Sequence, residues 1–340
     1  MHMVEIDAIS RDILQAMSEN CRISVSALAK ELHCAPKTLR KKLAMLEKEY
    51  DLRYVLELDT HELGLEATYI TVVKFSKQPD EKLLSAALAK YPNPQFAALV
   101  KGDFDMIIYS ASANHLDFAR WVNFFRQTLA GYIDQFENGA ITGYWFGFFP
   151  TNEKTIRQAT KLSEAEKVLL RLLLANARMP LKELARRAGL PVSTAQYNLK
   201  KILSSRMVIR PTVVIDKPPY STIYIGLFSQ TMTKRFLKVN DKVRDLLFEE
   251  SKYSPMSRLI STFNTTAGSF DDVTIYAVDS PEEGYKFHDQ IKQACGAELR
   301  ESRLAYAIKI LKGSLPCRKL EVKQAYRTLA VDIYSFMERE

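Results

Sequence analysis

A chain of 340 residues, 47% of them hydrophobic, is long enough for two or more domains with substantial cores. Its formal net charge of +8 suits a polyanionic partner such as nucleic acid without proving one. The four cysteines, Cys21, Cys34, Cys295 and Cys317, have no paired spacing, which argues against a zinc module or a disulfide framework and fits a reducing cytoplasm.

Residues 6–17 place Ile6, Ile9, Ile13, Leu14 and Met17 on one helical face. Ser24 is the expected N-cap of a second helix over residues 24–32, with Val25, Leu28, Ala29 and Leu32 inward. His33-Cys34-Ala35 is the turn, and a third helix starts at Pro36, a residue suited to the first helical position. Leu39, Leu43 and Leu46 face its core side, while Lys37, Thr38, Arg40, Lys41 and Lys42 face outward. Short helix, tight turn and basic helix make a helix-turn-helix, whose second helix enters the major groove. In that reading the Lys and Arg side chains neutralise phosphates, and Thr38 or Arg40 reaches base edges. The bland alternative is a solvated basic face. A strand expected over Leu52 to Leu58 favours the first reading, because it suits the wing of a winged helix.

Strand Ala67 to Phe75, helix Pro79 to Lys90, strands Gln95 to Val100 and Met106 to Ala111, helix Leu116 to Leu129 and strand Ile141 to Phe149 follow. The order β-α-β-β-α-β is the ferredoxin-like split pattern. It puts two helices on one face of a four-stranded sheet and leaves an apolar face for another sheet or domain. Pro150 to Gln158 is a polar connector.

The pattern then repeats. Asn20-Cys-Arg-Ile-Ser aligns with Asn176-Ala-Arg-Met-Pro at an offset of 156 (176 − 20), and Gly102-Asp-Phe-Asp with Gly268-Ser-Phe-Asp at 166 (268 − 102). A repeat this long indicates duplication and fusion. The ten extra residues are expected in the helix Lys234 to Glu250 and its loops. The second reading helix, Val192 to Leu203, presents Ser193, Thr194, Gln196, Tyr197, Asn198, Lys200 and Lys201. Gln and Asn pair with adenine where Arg and Lys favour guanine, so two non-identical half-sites are expected. Against this stands a second copy that has drifted and serves only as a partner for the first.

The expected fold class is α+β, two tandem copies of a winged helix-turn-helix plus a ferredoxin-like domain. The boundaries are 1–58, 65–150, 159–216 and 220–313, with a C-terminal helical extension over 314–340 carrying an apolar stripe from Leu320 to Met337.

These motifs resemble the Lrp/AsnC (feast/famine) family of transcription regulators. The carrying residues are Asn20-x-Arg22-Ile23-Ser24, Leu28-Ala29, Leu46-Glu47 and Gly102-Asp103-Phe104-Asp105. The resemblance implies a sequence-specific regulator of double-stranded DNA whose ferredoxin-like (RAM) domain dimerises through its sheet and often binds an amino acid. Gly102, Asp103, Asp105 and Asp271 are the effector-binding candidates it implies. Two copies in one chain imply an intramolecular pseudo-dimer, with homodimers or larger assemblies built from it.

No catalytic constellation, phosphate loop or dinucleotide fingerprint is present. The histidines His2, His33, His61, His115 and His288 occupy non-equivalent repeat positions and read as structural or surface groups, so neither metal nor cofactor is expected. The chain is therefore read as not an enzyme. The competing readings are a siroheme-decarboxylase-like tetrapyrrole enzyme, a class that resembles the same architecture, and a non-specific architectural DNA binder. The polar N-terminus carries no signal-peptide pattern, and no apolar run approaches a membrane span, so a cytoplasmic location is expected.

Overall fold

The computed structural model describes residues 7–146, 149, 151, 162–215, 222–231, 242–243, 246, 259–266, 268–278 and 280–316, and for some of these the backbone alone. They fall into two compact units, each taken by itself.

The first unit gathers both helix-turn-helix copies. The helices are α1 (Ala8–Glu19), α2 (Val25–Glu31) and α3 (Pro36–Glu49), followed by strand β1 (Leu52–Leu58). Ile13, Leu14, Met17, Leu28, Leu39, Leu43 and Leu46 are buried, as the 3.6-residue spacing requires. The Ser24 side chain caps α2 by accepting from the Ala27 N–H at 3.1 Å. The second copy has α6 (Glu164–Ala175), α7 (Leu181–Ala188), α8 (Val192–Leu203) and strand β6 (Val208–Ile215). Its α6 begins with a reciprocal capping box of Ser163 and Glu166. The turn before each reading helix needs a left-handed residue. Gly189 supplies it in the second copy at φ 66°, and His33, 156 positions earlier, is held there at φ 50° in the first.

The strands expected as wings pair with each other. β1 and β6 run antiparallel from Leu52↔Ile215 to Glu57↔Arg210, and a short strand β11 (Leu315–Pro316) adds to the far side of β6. The ribbon thus joins the two copies. It ends in a buried ion pair, with Arg210 Nε 2.6 Å from Glu57 and Arg210 Nη1 2.9 Å from Glu19. The Asn-x-Arg motif also bridges the copies. Arg22 donates to the carbonyls of Ala177 and Met179, and Arg178 reaches the Ile23 carbonyl at 3.4 Å and stacks over the Tyr54 ring. In each copy the Asn side chain accepts from the N–H two residues on, at 3.0 Å from Arg22 and 2.9 Å from Arg178.

The second unit contains β2 (Ala67–Phe75), α4 (Glu81–Ala89), β3 (Pro94–Gly102), β4 (Met106–Ser112), α5 (His115–Thr128) and β5 (Ile133–Phe146). From the second copy it contains β7 (Thr222–Gln230), β8 (Leu259–Thr266), β9 (Asp272–Val278), α9 (Pro281–Cys295) and β10 (Leu299–Lys312). The helix expected over Lys234 to Glu250 lies outside the described residues, apart from three positions. So does the stripe from Leu320 to Met337, and so does the connector apart from Thr151.

The eight strands close into one barrel in the order β10-β3-β4-β2-β5-β8-β9-β7. Closure comes from the two long strands. β5 pairs with β2 over its first half, Ile133 to Ala140, then with β8 of the other copy. β10 pairs with β7 first and then with β3. β5 therefore starts eight residues before the expected Ile141. Its polar opening, Asp134-Gln135-Phe136-Glu137-Asn138, does not look like a strand, but Gln135 to Asn138 are in register with β2, and Asp134 falls at an irregularity in the pairing. The helices pack outside. Leu84, Leu88, Trp121, Phe125 and Leu129 fill the first copy's core, and Phe228, Tyr276, Phe287 and Ile291 the second's. Glu137 of β5 meets Arg303 of β10 through two bonds, at 2.7 and 2.9 Å, between strands four steps apart in the barrel order. The two positions are equivalent in the repeat (303 − 137 = 166).

Candidate nucleic-acid interface

Helix α3 is held by its buried Leu39, Leu43 and Leu46, which turns Lys37, Thr38, Arg40 and Lys41 fully outward. Lys42 is less free, because its ammonium pairs with Asp7, the N-cap of α1. That contact, together with the Ser10 N–H, holds the Asp7 carboxyl below its ordinary range. Helix α8 is anchored by Ala195, Leu199 and Ile202, leaving Ser193, Thr194, Gln196, Tyr197 and Lys200 exposed. Two of its candidates are engaged. The Asn198 amide donates back to the Thr194 carbonyl at 3.0 Å, and Lys201 lies 2.6 Å from the buried Glu166. Hydrogen bonds from Lys201 and Ser163 pull the Glu166 carboxyl down to about 2. Side-chain spacing along α3 and α8 does not reveal these engagements, since two of the three partners come from other helices.

At the 156-residue offset Arg40 corresponds to Gln196 and Lys41 to Tyr197. The first reading surface is therefore cationic where the second is amide and aromatic. The first helix of the second pair adds exposed Lys182 and Arg186, and Arg206 follows α8. In the helix-turn-helix geometry the first helix crosses the phosphate backbone while the N-terminal part of the second meets base edges.

The Gly-Asp-Phe-Asp residues lie in the barrel unit, and their geometry is that of a closing turn. Gly102, at φ 148°, sits where a Cβ would fall 2.3 Å from the Leu304 carbonyl oxygen. Asp103 accepts from the Leu304 N–H at 2.7 Å, and Phe104 is buried. Asp105 accepts from the Phe75 N–H at 2.8 Å, as Asp271 does from Gln230 at 2.6 Å. Ser269, in the place of Asp103, bonds Glu137 and lies 3.1 Å from Arg303. The carboxylates read as effector candidates thus hold main-chain amides.

His115 opens α5 and bonds the Tyr69 hydroxyl. His288 is buried in α9 against Phe228, and burial pushes its pKa down to about 4. Burial likewise raises the Cys21 and Cys295 thiols to about 12. Among the described residues no group of three or more His, Cys, Asp or Glu side chains could hold a metal ion, and no helix is long and apolar enough to cross a membrane.

Two family models match the chain, an AsnC-type helix-turn-helix domain over residues 6–47 and a winged helix-turn-helix DNA-binding domain over residues 162–204. No curated protein matches. Among solved structures, the siroheme decarboxylase NirDL superposes with a TM-score of 0.60 at 13% identity, over 98% of this chain and all of that one. NirDL with an iron-uroporphyrin III analogue gives 0.57 at 12%, over 97% of this chain and all of that one. LrpC of B. subtilis gives 0.35 at 19%, over 41% of this chain and 95% of its own.

The Lrp/AsnC resemblance therefore stands in the helix-turn-helix: the first copy is AsnC-type and the second is a winged helix-turn-helix of the DNA-binding kind. The α+β tandem architecture stands as well. The expectation that the chain is not an enzyme does not stand. An enzyme shares this architecture from end to end, and a fold alone cannot exclude chemistry.

Proposed function

We propose that the chain is a transcription regulator that reads two non-identical half-sites of double-stranded DNA, one with α3 and the other with α8. The observation that carries the reading is the pair of exposed helix faces at equivalent repeat positions. One is basic and the other amide- and hydroxyl-bearing, and α7, the helix paired with the second, exposes Lys182 and Arg186 as phosphate contacts would require. The ribbon of β1 and β6 and the reciprocal Arg22 and Arg178 contacts support two copies presented together. Half-sites roughly 34 Å apart on one face of the duplex follow from that reading, as does a cytoplasmic location. An amino acid or other small molecule modulates binding, with Gly102, Asp103, Asp105 and Asp271 as its candidate contacts.

The test is binding of the intact chain to duplexes selected from a random pool, followed by footprinting. The double variant Arg40→Ala, Lys41→Ala is expected to weaken binding and lower the slope of log affinity against log salt by roughly 2. An unchanged slope would remove α3 as a DNA contact. Protection of a single isolated half-site would remove the paired reading.

A second reading is favoured by the end-to-end likeness to NirDL. In it the chain decarboxylates a siroheme-like tetrapyrrole. Titration with iron-uroporphyrin separates the two. Stoichiometric absorbance changes without retention of any duplex would put the second reading in place of the first.

A further inference from the structure

We propose that α8 recognises thymine 5-methyl groups in the major groove, through Val192 and Tyr197. The inference rests on the DNA-binding reading above and names the base chemistry of its second half-site.

Val192 is 47% exposed and Tyr197 is 69% exposed. Neither is needed by the core, because Ala195, Leu199 and Ile202 already anchor the helix. Val192 is the first residue of α8 and Tyr197 lies within its first two turns, the part of a reading helix that meets base edges. Apolar groups on such a surface have a specific counterpart in DNA. Each A·T pair presents one methyl in the major groove and each G·C pair presents none. The sibling helix supplies an internal comparison. At equivalent positions it carries Pro36 and Lys41 in place of Val192 and Tyr197, and Arg40 in place of Gln196. Cations favour the O6 and N7 acceptors of guanine, whereas an amide beside apolar contacts matches adenine and its thymine partner.

Two further observations narrow the reading set. Asn198 is turned onto the Thr194 carbonyl and Lys201 onto Glu166, so Gln196 is the remaining amide beside Val192 and Tyr197. Exposed Lys200 stands one turn from Tyr197 on α8, and the preceding helix α7 exposes Lys182 and Arg186, which fits a polyanionic occupant better than an apolar protein surface.

The experiment uses the intact chain and its selected duplex, with each thymine of the α8 half-site replaced in turn by deoxyuridine. This change removes one methyl and leaves every hydrogen-bonding group in place. Affinity is read by fluorescence anisotropy at fixed salt. At least one replacement is expected to weaken binding about fourfold, the worth of one buried methyl, while replacements in the α3 half-site have no such effect. Val192→Ser and Tyr197→Ser are expected to bring the thymine-to-deoxyuridine ratio toward 1 with the salt slope unchanged. Equal affinity for thymine and deoxyuridine at every position, on a duplex that is bound, would overturn this inference and leave the DNA reading intact. Selected sites with no A·T pair in that half would overturn it too. If the Ser variants change self-association in sedimentation but not the base ratio, the patch belongs to a second copy of the chain and the inference fails. If no duplex is retained at all, the underlying reading falls first.

Discussion

Replacing Arg210 by Met tests the joint between the two helix-turn-helix copies. Arg210 is 8% exposed and Glu57, directly opposite it in the ribbon, is 5% exposed. Glu19, its other partner, keeps a side chain 44% exposed. The variant takes the guanidinium away from a carboxylate that water barely reaches. Breaking one side of a buried pair costs about 3–5 kcal/mol, whereas the loss at Glu19 is small because solvent replaces the partner. For a unit of this size the shift in melting temperature is on the order of 10 °C. Both tryptophans of the sequence, Trp121 and Trp145, belong to the barrel unit. Far-UV circular dichroism, dominated by helices, is therefore the readout, followed through urea unfolding. The double variant Arg210→Met, Glu57→Leu removes both charges and is expected to recover most of the loss, since an apolar pair of similar volume is often as stable as a buried ion pair. A cost below about 1 kcal/mol for Arg210→Met, or a double variant as unstable as the sum of the singles, would refute the reasoning.

His288 makes stability depend on pH. Its pKa in the folded protein is about 4 against an ordinary 6.5, because burial disfavours the imidazolium and Lys292 adds to that, with Asp289 and Asp103 opposing. The unfolded chain therefore takes up its proton first. This contribution to stability is whole above the unfolded pKa and declines as pH falls toward the folded one. The loss between pH 7 and pH 5 is roughly 2 kcal/mol. His288→Val, the residue type of the equivalent Val122, should flatten that part of the urea-midpoint profile; an unaltered slope would assign the dependence elsewhere. His33→Gly should stabilise the first unit by about 0.5–1 kcal/mol, because it relieves an L-residue at positive φ. A loss of stability on thermal unfolding would mean that the imidazole makes contacts worth more than the strain.

Much of the fold is legible in local sequence. The apolar spacing of Leu39, Leu43 and Leu46 marks the buried side of α3, Ser24 marks a helix start, and the repeat offset marks the duplication. Pairing between copies is harder to see. β1 finds β6 rather than a hairpin neighbour, and β5 changes partners at Ala140. Both depend on main-chain hydrogen bonds to strands more than a hundred residues away, and such bonds leave little trace in side-chain pattern. The Asn-x-Arg and Gly-Asp-Phe-Asp motifs are visible as repeats, but their work is not. Arg22 reaches a carbonyl of the other copy, and Gly102 is small because the Leu304 carbonyl passes so close. On the candidate interface, helical period located the outward residues. It could not show that Lys42, Asn198 and Lys201 are already engaged. Nor does the absence of catalytic motifs decide the question of catalysis, since an enzyme shares this architecture.

The Glu137–Arg303 pair has a meaning for how such a chain can diverge. In two identical subunits, a residue on the symmetry axis faces its own duplicate, so an acid meets an acid and a base meets a base. One side chain cannot serve as both halves of an ion pair with itself. Joining two subunits into one polypeptide lifts that restriction, because each position on the axis can then mutate alone. Glu137 and Arg303 are equivalent positions that have gone to opposite charges and now bind each other. The barrel has thereby acquired a lock that favours unlike halves. Two copies of the first half would bring carboxylates together and two copies of the second would bring guanidiniums together, so the asymmetry that separates α3 from α8 has a counterpart in the unit that has no part in reading DNA in the function proposed above.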